Sequence, residues 1–504
     1  MSRVGKLLPL LAAVLVLAAP AAFAGDGFED VQNRIHEKTL SNGLKVILFE
    51  NHDAPVISFV TQANVGASDE VHGITGLAHL LEHMAFKGTG TVGGKDVREE
   101  AKAMAAEDRI FDAIMAEREK GELASPEKLA ELEKQLEEAM DEARQFVLSN
   151  EMDEILNQEG VKGLNAGTGY DTTTYYYSLP SNRLELWAVL ESDRFIDPVL
   201  REFFAEKQVV AEERRMRTDS NPIGRLLEEY LAVAYKAHPY GVPVVGHMSD
   251  IQNMTREKCM SFFRKYYNPS NMVVVVAGDV YPDEAFPVIE TYFGRIPRGE
   301  KPSPVTTVEP QQNAERRVVT YEEAQPILIM GFHKPGFNHP ERAVYDAISS
   351  IMGEGRSSRL NTSLVKEKQI AIAAMSLTGL PGSKYPGLFL FIGVPAKGHT
   401  NAEVEDAIWE EIDKLKSEPV TEQELAKLKT RAKADFIRGL DSNTGMANQL
   451  AFYHTMTGDW RNMFTEVEKI EAVTAEDIRR VANEVFTRTN VSVGQQESLA
   501  DLEQ

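Results

Sequence analysis

The chain has 504 residues and a single cysteine, Cys259. No intrachain disulfide can form, and no metal site built on several thiolates is possible. Basic residues are in deficit too: 54 Lys and Arg stand against 77 Asp and Glu, a net charge of −23. A nucleic-acid binder needs a basic footprint, so that class of partner is excluded. Beyond the first two dozen residues no stretch reaches the ~18 uninterrupted apolar residues of a membrane-spanning helix. What is present is ordinary globular material, with 43% hydrophobic residues, 35 Gly and 23 Pro. Global disorder and collagen-like repeats are therefore out. At roughly 150 residues per domain, about two to four domains fit.

Residues 1–24 stand apart. Arg3 and Lys6 give a positive start, Leu7 to Ala18 is an apolar run too short to span a bilayer well, and Ala22-Phe23-Ala24 is a small-x-small cleavage site. This is the pattern of a secretory signal peptide cut before Gly25. The expectation is an exported protein without a membrane anchor after cleavage, in a bacterial periplasm.

Along the rest of the chain, Lys45 to Glu50 and Val56 to Val65 read as strands, and Gly73 to Gly76 opens a histidine-bearing helix. Residues 96–162 then hold 20 acidic and 9 basic residues, a net of −11. Leu129, Leu132, Leu136, Ala139, Ala143 and Phe146 fall alternately three and four apart, a helical period. Ser125-Pro126 is an N-cap followed by Pro at the first helical position. The spacing predicts a helical hairpin over about 97–120 and 126–157. It either packs on its own domain or docks a partner as a coiled coil. A second boundary is expected at 296–315, where Pro297, Pro302, Pro304 and Pro310 suit an extended linker. It divides a domain over 25–295 from one over 316–504. The two share a repeat: Thr255 opens a helix followed by Asn271 and a β-branched strand, and Thr474 opens another followed by Asn490 and a strand. The Thr-to-Asn offset is 16 in both, and Thr is a capping residue. Two similar domains follow from this.

The strongest chemical signal is His79-Leu80-Leu81-Glu82-His83. Positions i and i+4 lie on one helical face, so both imidazoles can reach one zinc ion. Glu82 projects to the same side and can take a proton from a water acidified by that zinc. The order H-x-x-E-H is the metalloprotease helix reversed, the inverzincin signature. Leu77, Ala78, Leu80, Leu81, Met84 and Phe86 make this helix largely buried, where an unpartnered His is costly. A catalytic zinc needs a third protein ligand. Glu206 and Glu213 are seven apart and share a face, which suits one ligand and one orienting group; Glu212 is rotated away. His52, His72, His247 and the remaining histidines show no ligand spacing.

With these residues in view the chain resembles the pitrilysin/insulinase family of zinc metallopeptidases, in its two-domain branch similar to the mitochondrial processing peptidase subunits. The matching blocks are Leu40 to Leu44, Gly76 to Met84, Asn165-Ala166-Gly167-Thr168, Glu206 to Glu213, His238-Pro239-Tyr240 and Gly355 to Leu360. The resemblance implies an α+β fold of two similar domains, each a largely antiparallel sheet with packed helices. The hairpin is then an insert in the first domain, outside the catalytic core. It also implies one zinc ion per chain held by His79, His83 and Glu213, with Glu82 as general base and Glu206 in support. Asn165, Ala166, Gly167 and Thr168 would lie on an edge strand that aligns an extended peptide by main-chain hydrogen bonds; a purely structural strand is the other reading. His238-Pro239-Tyr240 reads as a turn and packing feature.

Two departures matter. His83 and Asn165 are 82 residues apart, far more than the family spacing, and the acidic hairpin fills the gap. The Arg and Tyr that family members carry in the second domain to contact substrate are replaced by Val365 and Ile372, neither of which can donate a side-chain hydrogen bond. Arg356 or Tyr385 are alternative donors. The expectation is an exported zinc endopeptidase subunit that encloses short or unfolded peptides with a homologous partner supplying Arg and Tyr. A homodimer would leave the chamber without those donors. The rivals are a non-catalytic chaperone or assembly scaffold of the same fold, and a zinc esterase, which a peptide-reading edge strand disfavours.

Overall fold

The computed structural model describes residues 27–499; the signal-peptide segment lies outside the described residues. Among the described residues eleven strands run in chain order: β1 Ile35–Thr39, β2 Lys45–Glu50, β3 Val56–Ala63, β4 Lys162–Thr168, β5 Thr173–Pro180, β6 Met272–Gly278, β7 Arg316–Glu322, β8 Ile327–Lys334, β9 Ala371–Leu380, β10 Gly387–Pro395 and β11 Val491–Ser498. They form two sheets, ordered β1-β2-β6-β3-β5-β4 and β7-β11-β8-β10-β9. In each sheet one pair is parallel, β2 with β6 and β7 with β11, and every other pair is antiparallel. The sequence β2-β6-β3-β5-β4 therefore repeats in order and direction as β7-β11-β8-β10-β9, with β1 an added edge strand. The expected two-sheet α+β architecture is the observed one.

The Thr-to-Asn repeat has a physical reason. Thr255 accepts the Lys258 N–H and caps the helix Arg256–Tyr266, and Thr474 accepts the Asp477 N–H and caps Ala475–Val485. At the other end Asn271 donates to the Tyr266 carbonyl at 2.9 Å and to the Asn64 carbonyl at 3.2 Å. Asn490 likewise donates to the Val485 carbonyl and the His333 carbonyl, both at 3.0 Å. Each Asn thus satisfies an orphan carbonyl at a helix C-terminus and ties that helix to a neighbouring strand.

Val273 to Ala277 of β6 are buried on both faces, which explains an unbroken apolar run where a half-exposed strand would alternate. One face packs under the helices of the first half. The other meets Met446, Ala447, Leu450 and Ala451 of the helix Asn443–Thr457, which belongs to the second half. The loan is returned: Leu226, Tyr230, Leu231 and Ala234 of the helix Pro222–Ala234 cover Ile329, Leu388 and Leu390 of the second sheet. Glycine is required beneath Tyr230. A Cβ on Gly331 would lie 1.8 Å from its hydroxyl oxygen, and one on Gly494 2.9 Å from its ring.

The acidic insert departs from expectation in where its helices end. Its first helix, Val97–Arg118, is capped by Asp96, and its second, Pro126–Arg144, by Ser125 as anticipated. The second helix ends at Arg144, however, and a separate helix, Glu151–Gln158, begins after Asn150 at φ 61°. Between them the chain bridges Val147 to Gly94, which pinches the base of the hairpin shut. Of its two expected dispositions, packing against its own half of the chain is the one seen. Phe111, Ile114, Met152 and Leu156 are buried with Phe204 in the first core. Glu100 binds Arg201 through both carboxylate oxygens (2.7 and 3.0 Å), and both side chains are 1% exposed. Arg201 also donates to the carbonyls of Lys87, Thr89 and Val92. The Lys207 ammonium sits 3.9 Å from the Phe111 ring centre and donates to the carbonyls of Gln252 and Met254.

Removing one partner of a buried ion pair leaves the other charge uncompensated. Glu100→Ala is expected to lower the unfolding free energy by about 3–5 kcal/mol in urea denaturation. A change below about 1 kcal/mol, the range of exposed pairs, would show that this pair does not anchor the insert to the fold.

Candidate metal centre

The helix Leu77–Met84 carries the histidines. Its first residue follows Gly76 at φ 84°, where a Cβ would lie 2.4 Å from the Val245 carbonyl oxygen. Glycine cannot cap with a side chain, so a distant carboxylate does. Glu70, 5% exposed, accepts the Gly76 and Ala78 N–H groups at 2.8 and 2.6 Å. Burial pushes its carboxyl up to about 8, opposed by those N–H groups. Asp250 accepts the N–H groups of Gly73 and Thr75 and the Thr75 hydroxyl, fixing the preceding loop.

His79 is buried and His83 is half-buried, with ring centres 4.8 Å apart at 81°. Opposite them runs the helix Phe203–Arg214. Two turns along one face, it presents Glu206 and Glu213. Glu213 Oε2 lies 3.6 Å from His79 Nε2 and 3.3 Å from His83 Nε2. One ligand atom from each of His79, His83 and Glu213 falls within 4.8 Å of the others. His83 Nδ1 meets Glu206 Oε1 at 2.8 Å, and Lys87 Nζ meets Glu206 Oε2 at 2.8 Å. Burial raises the Glu206 carboxyl, but His83 and Lys87 overcome it and hold the group at about 2. Burial lowers His79 to about 4 against the pull of Glu213. Glu212 points to the surface and pairs with Arg215, as its rotation on the helix anticipated.

The donor set suits zinc. Two imidazole nitrogens and one carboxylate oxygen are a ligand set that zinc, a borderline-soft ion, accepts, and they leave a fourth position open. The Nδ1–H of His83, donated to Glu206, leaves its Nε2 lone pair facing the cluster, the usual outer arrangement of a metal-binding imidazole. His79 Nδ1 is buried without a hydrogen-bond partner.

Residues Asn165 to Thr168 lie in β4, the outermost strand of the first sheet, paired on one side with β5. Thr168 borders Glu82. Burial raises the Glu82 carboxyl, while the Thr168 side chain and N–H and the His83 imidazole pull it down. His238 Nδ1 accepts the Tyr240 N–H, and the Tyr240 hydroxyl donates to Asp171 at 2.5 Å. Asp171 in turn accepts the N–H groups of Ser383 and Lys384. The His-Pro-Tyr block is a turn that joins the two halves. Val365 is half-buried against the second core, and Ile372 is exposed on the edge strand β9. Tyr385 Oη accepts the Val305 N–H, and Arg356 offers its carbonyl to Lys366. Glu70, Asp250, Lys87 and Arg217 were not anticipated. Lys87 had a signal, four residues past His83; Asp250 had none, since it acts on Thr75 from 175 residues away.

Such a duplicated fold, with an H-x-x-E-H helix facing a glutamate helix, defines a class of zinc peptidase. Residues 45–119 match the family model described as Insulinase (Peptidase family M16), and residues 253–432 match that of the Peptidase M16 inactive domain. The zinc protease PqqE of Helicobacter pylori is 31% identical over 472 residues, covering 90% of this chain and 91% of that protein. A protease crystal structure from Helicobacter pylori aligns with TM-score 0.76 at 28% identity, over 92% of this chain and 99% of that one. The periplasmic protease PqqL of Escherichia coli aligns with TM-score 0.69 at 15% identity, over 92% of this chain but 47% of that one. The chain belongs to the insulinase family, peptidase family M16.

Glu70→Ala strands two buried N–H groups at the start of the histidine helix. The expected cost is about 1–3 kcal/mol in urea unfolding, restored only in part in Glu70→Gln, whose one amide oxygen can accept from only one of the two N–H groups. Equal stability in all three proteins would show that the helix start does not need this carboxylate.

Proposed function

We propose that the chain is an exported zinc endopeptidase subunit that hydrolyses short or unfolded peptides. The observation that carries this reading is the convergence of His79 Nε2, His83 Nε2 and Glu213 Oε2 beside an edge strand, with Glu82 against Thr168. His79, His83 and Glu213 would hold one zinc ion per chain. When bound, zinc supplies Lewis acidity that acidifies water and polarises a carbonyl. The exposed edge of Asn165 to Thr168 adds an extended peptide as a further strand, so recognition is by backbone and weakly sequence-specific. Glu82 takes the proton of the attacking water and returns it to the leaving amine. Glu206 keeps the His83 ring turned so that Nε2 faces the cluster.

The rest of the reading concerns organisation. The zinc-bearing domain spans 25–295, a linker 296–315 and a second domain 316–504. Residues 1–24 export the chain to a periplasm. A homologous partner closes the peptide chamber and supplies the Arg and Tyr that Val365 and Ile372 do not; a homodimer would lack both. The span of this chain, 47% of the larger periplasmic protease, supports a half-chamber. A non-catalytic scaffold of the same fold is the rival, favoured by the missing donors at Val365 and Ile372 and opposed by Glu82, which a scaffold has no use for.

Glu82→Gln is expected to keep zinc stoichiometry while peptide cleavage falls by orders of magnitude, and His79→Ala to lose zinc. Near-native turnover in Glu82→Gln overturns the mechanism. Peptide cleavage per zinc is expected to rise strongly, by about 10²–10³ per restored donor, when a companion carrying Arg and Tyr is added. Full activity of the chain alone, unchanged by the companion, overturns the heterodimer.

A further inference from the structure

Of the three converging groups, His83 has an outer partner in Glu206, and Glu206 is itself held by Lys87. Glu213 has one as well, in Arg217 four residues further along the chain. Its oxygens are divided: Oε2 faces both imidazoles, and Oε1 meets Arg217 Nη2 at 2.6 Å. Immediately after Arg214 the helix widens into a π-helical turn, Arg215–Asp219, a departure that is rare and concentrated at functional sites.

That turn is fixed from several sides. A Cβ on Gly224 would lie 2.0 Å from the Arg217 carbonyl oxygen, so the start of the next helix presses directly on it. Arg225 donates to the Asp219 carbonyl, and the Ser220 N–H to the Arg215 carbonyl. Arg214 departs in another direction, buried, to the Gly246 carbonyl and the Glu228 carboxylate. Arg217 alone is turned toward Glu213, and its side chain is 64% exposed. An ion pair that exposed contributes little to folding, so stability does not account for the pairing of Arg217 with Glu213.

We infer that Arg217 is a positioning residue for Glu213, holding Oε1 so that Oε2 stays turned toward His79 and His83. This rests on the reading of Glu213 as a metal ligand. Partners of this kind typically change metal affinity by 10–100-fold.

The test is zinc affinity of the full chain, measured by competition with a chromophoric chelator, alongside the urea midpoint of the metal-free protein. Arg217→Ala is expected to bind zinc about 10–100-fold more weakly at an unchanged midpoint. Arg217→Lys keeps a cation and a donor and is expected to recover part of the loss. Glu213→Gln is expected to bind more weakly still. Wild-type affinity in Arg217→Ala, with binding lost in Glu213→Gln, overturns the inference and leaves the ligand reading standing. Wild-type affinity in Glu213→Gln overturns both. A midpoint that falls in parallel with the affinity in Arg217→Ala overturns the positioning role in favour of a structural one.

Discussion

Everything at the candidate metal centre depends on two short helices meeting face to face with charged and polar atoms in apposition. His83 and Glu206 are 123 residues apart in sequence, and nothing local brings them together. A half-buried imidazole and a buried carboxylate are costly alone and tolerable together. The pairing of His83, Glu206 and Lys87 therefore fixes the separation of the two helices, and with it the distance from Glu213 to both imidazoles.

The scaffold that meets this constraint is a duplicated one in which the halves are not free of each other. Each sheet is covered on one face by a helix from the opposite half, through Tyr230 in one direction and Leu450 in the other. The acidic insert adds a third support. Its buried Glu100–Arg201 pair and the Lys207–Phe111 contact press on the start of the glutamate helix and on its back. A charged insert that reads as solvated along its length thus hides an inner face that is apolar apart from the buried Glu100, Glu107 and Glu117.

Local chemistry was legible in the sequence. The capping Thr residues, the matched Asn residues sixteen positions on, and the i, i+4 histidines all act within a turn or two of themselves, so their spacing carries their role. The edge position of β4 came from the family resemblance, and β4 is the outermost strand. The rest was illegible because it is made at long range. The exchange of covering helices depends on Gly331 and Gly494 making room for Tyr230, and Glu70 caps a helix it does not precede directly. The break between Arg144 and Glu151 was missed because the apolar period continues through Phe146, and the only local sign was Asn150.

The central claim is that His79, His83 and Glu213 hold one zinc ion. Anomalous scattering at the zinc edge from crystals of the full chain tests it most directly. The account predicts one peak per chain, at about 2.0–2.2 Å from His79 Nε2, His83 Nε2 and a Glu213 carboxylate oxygen. A peak elsewhere, or zinc-grown crystals with no peak at this cluster, would contradict it.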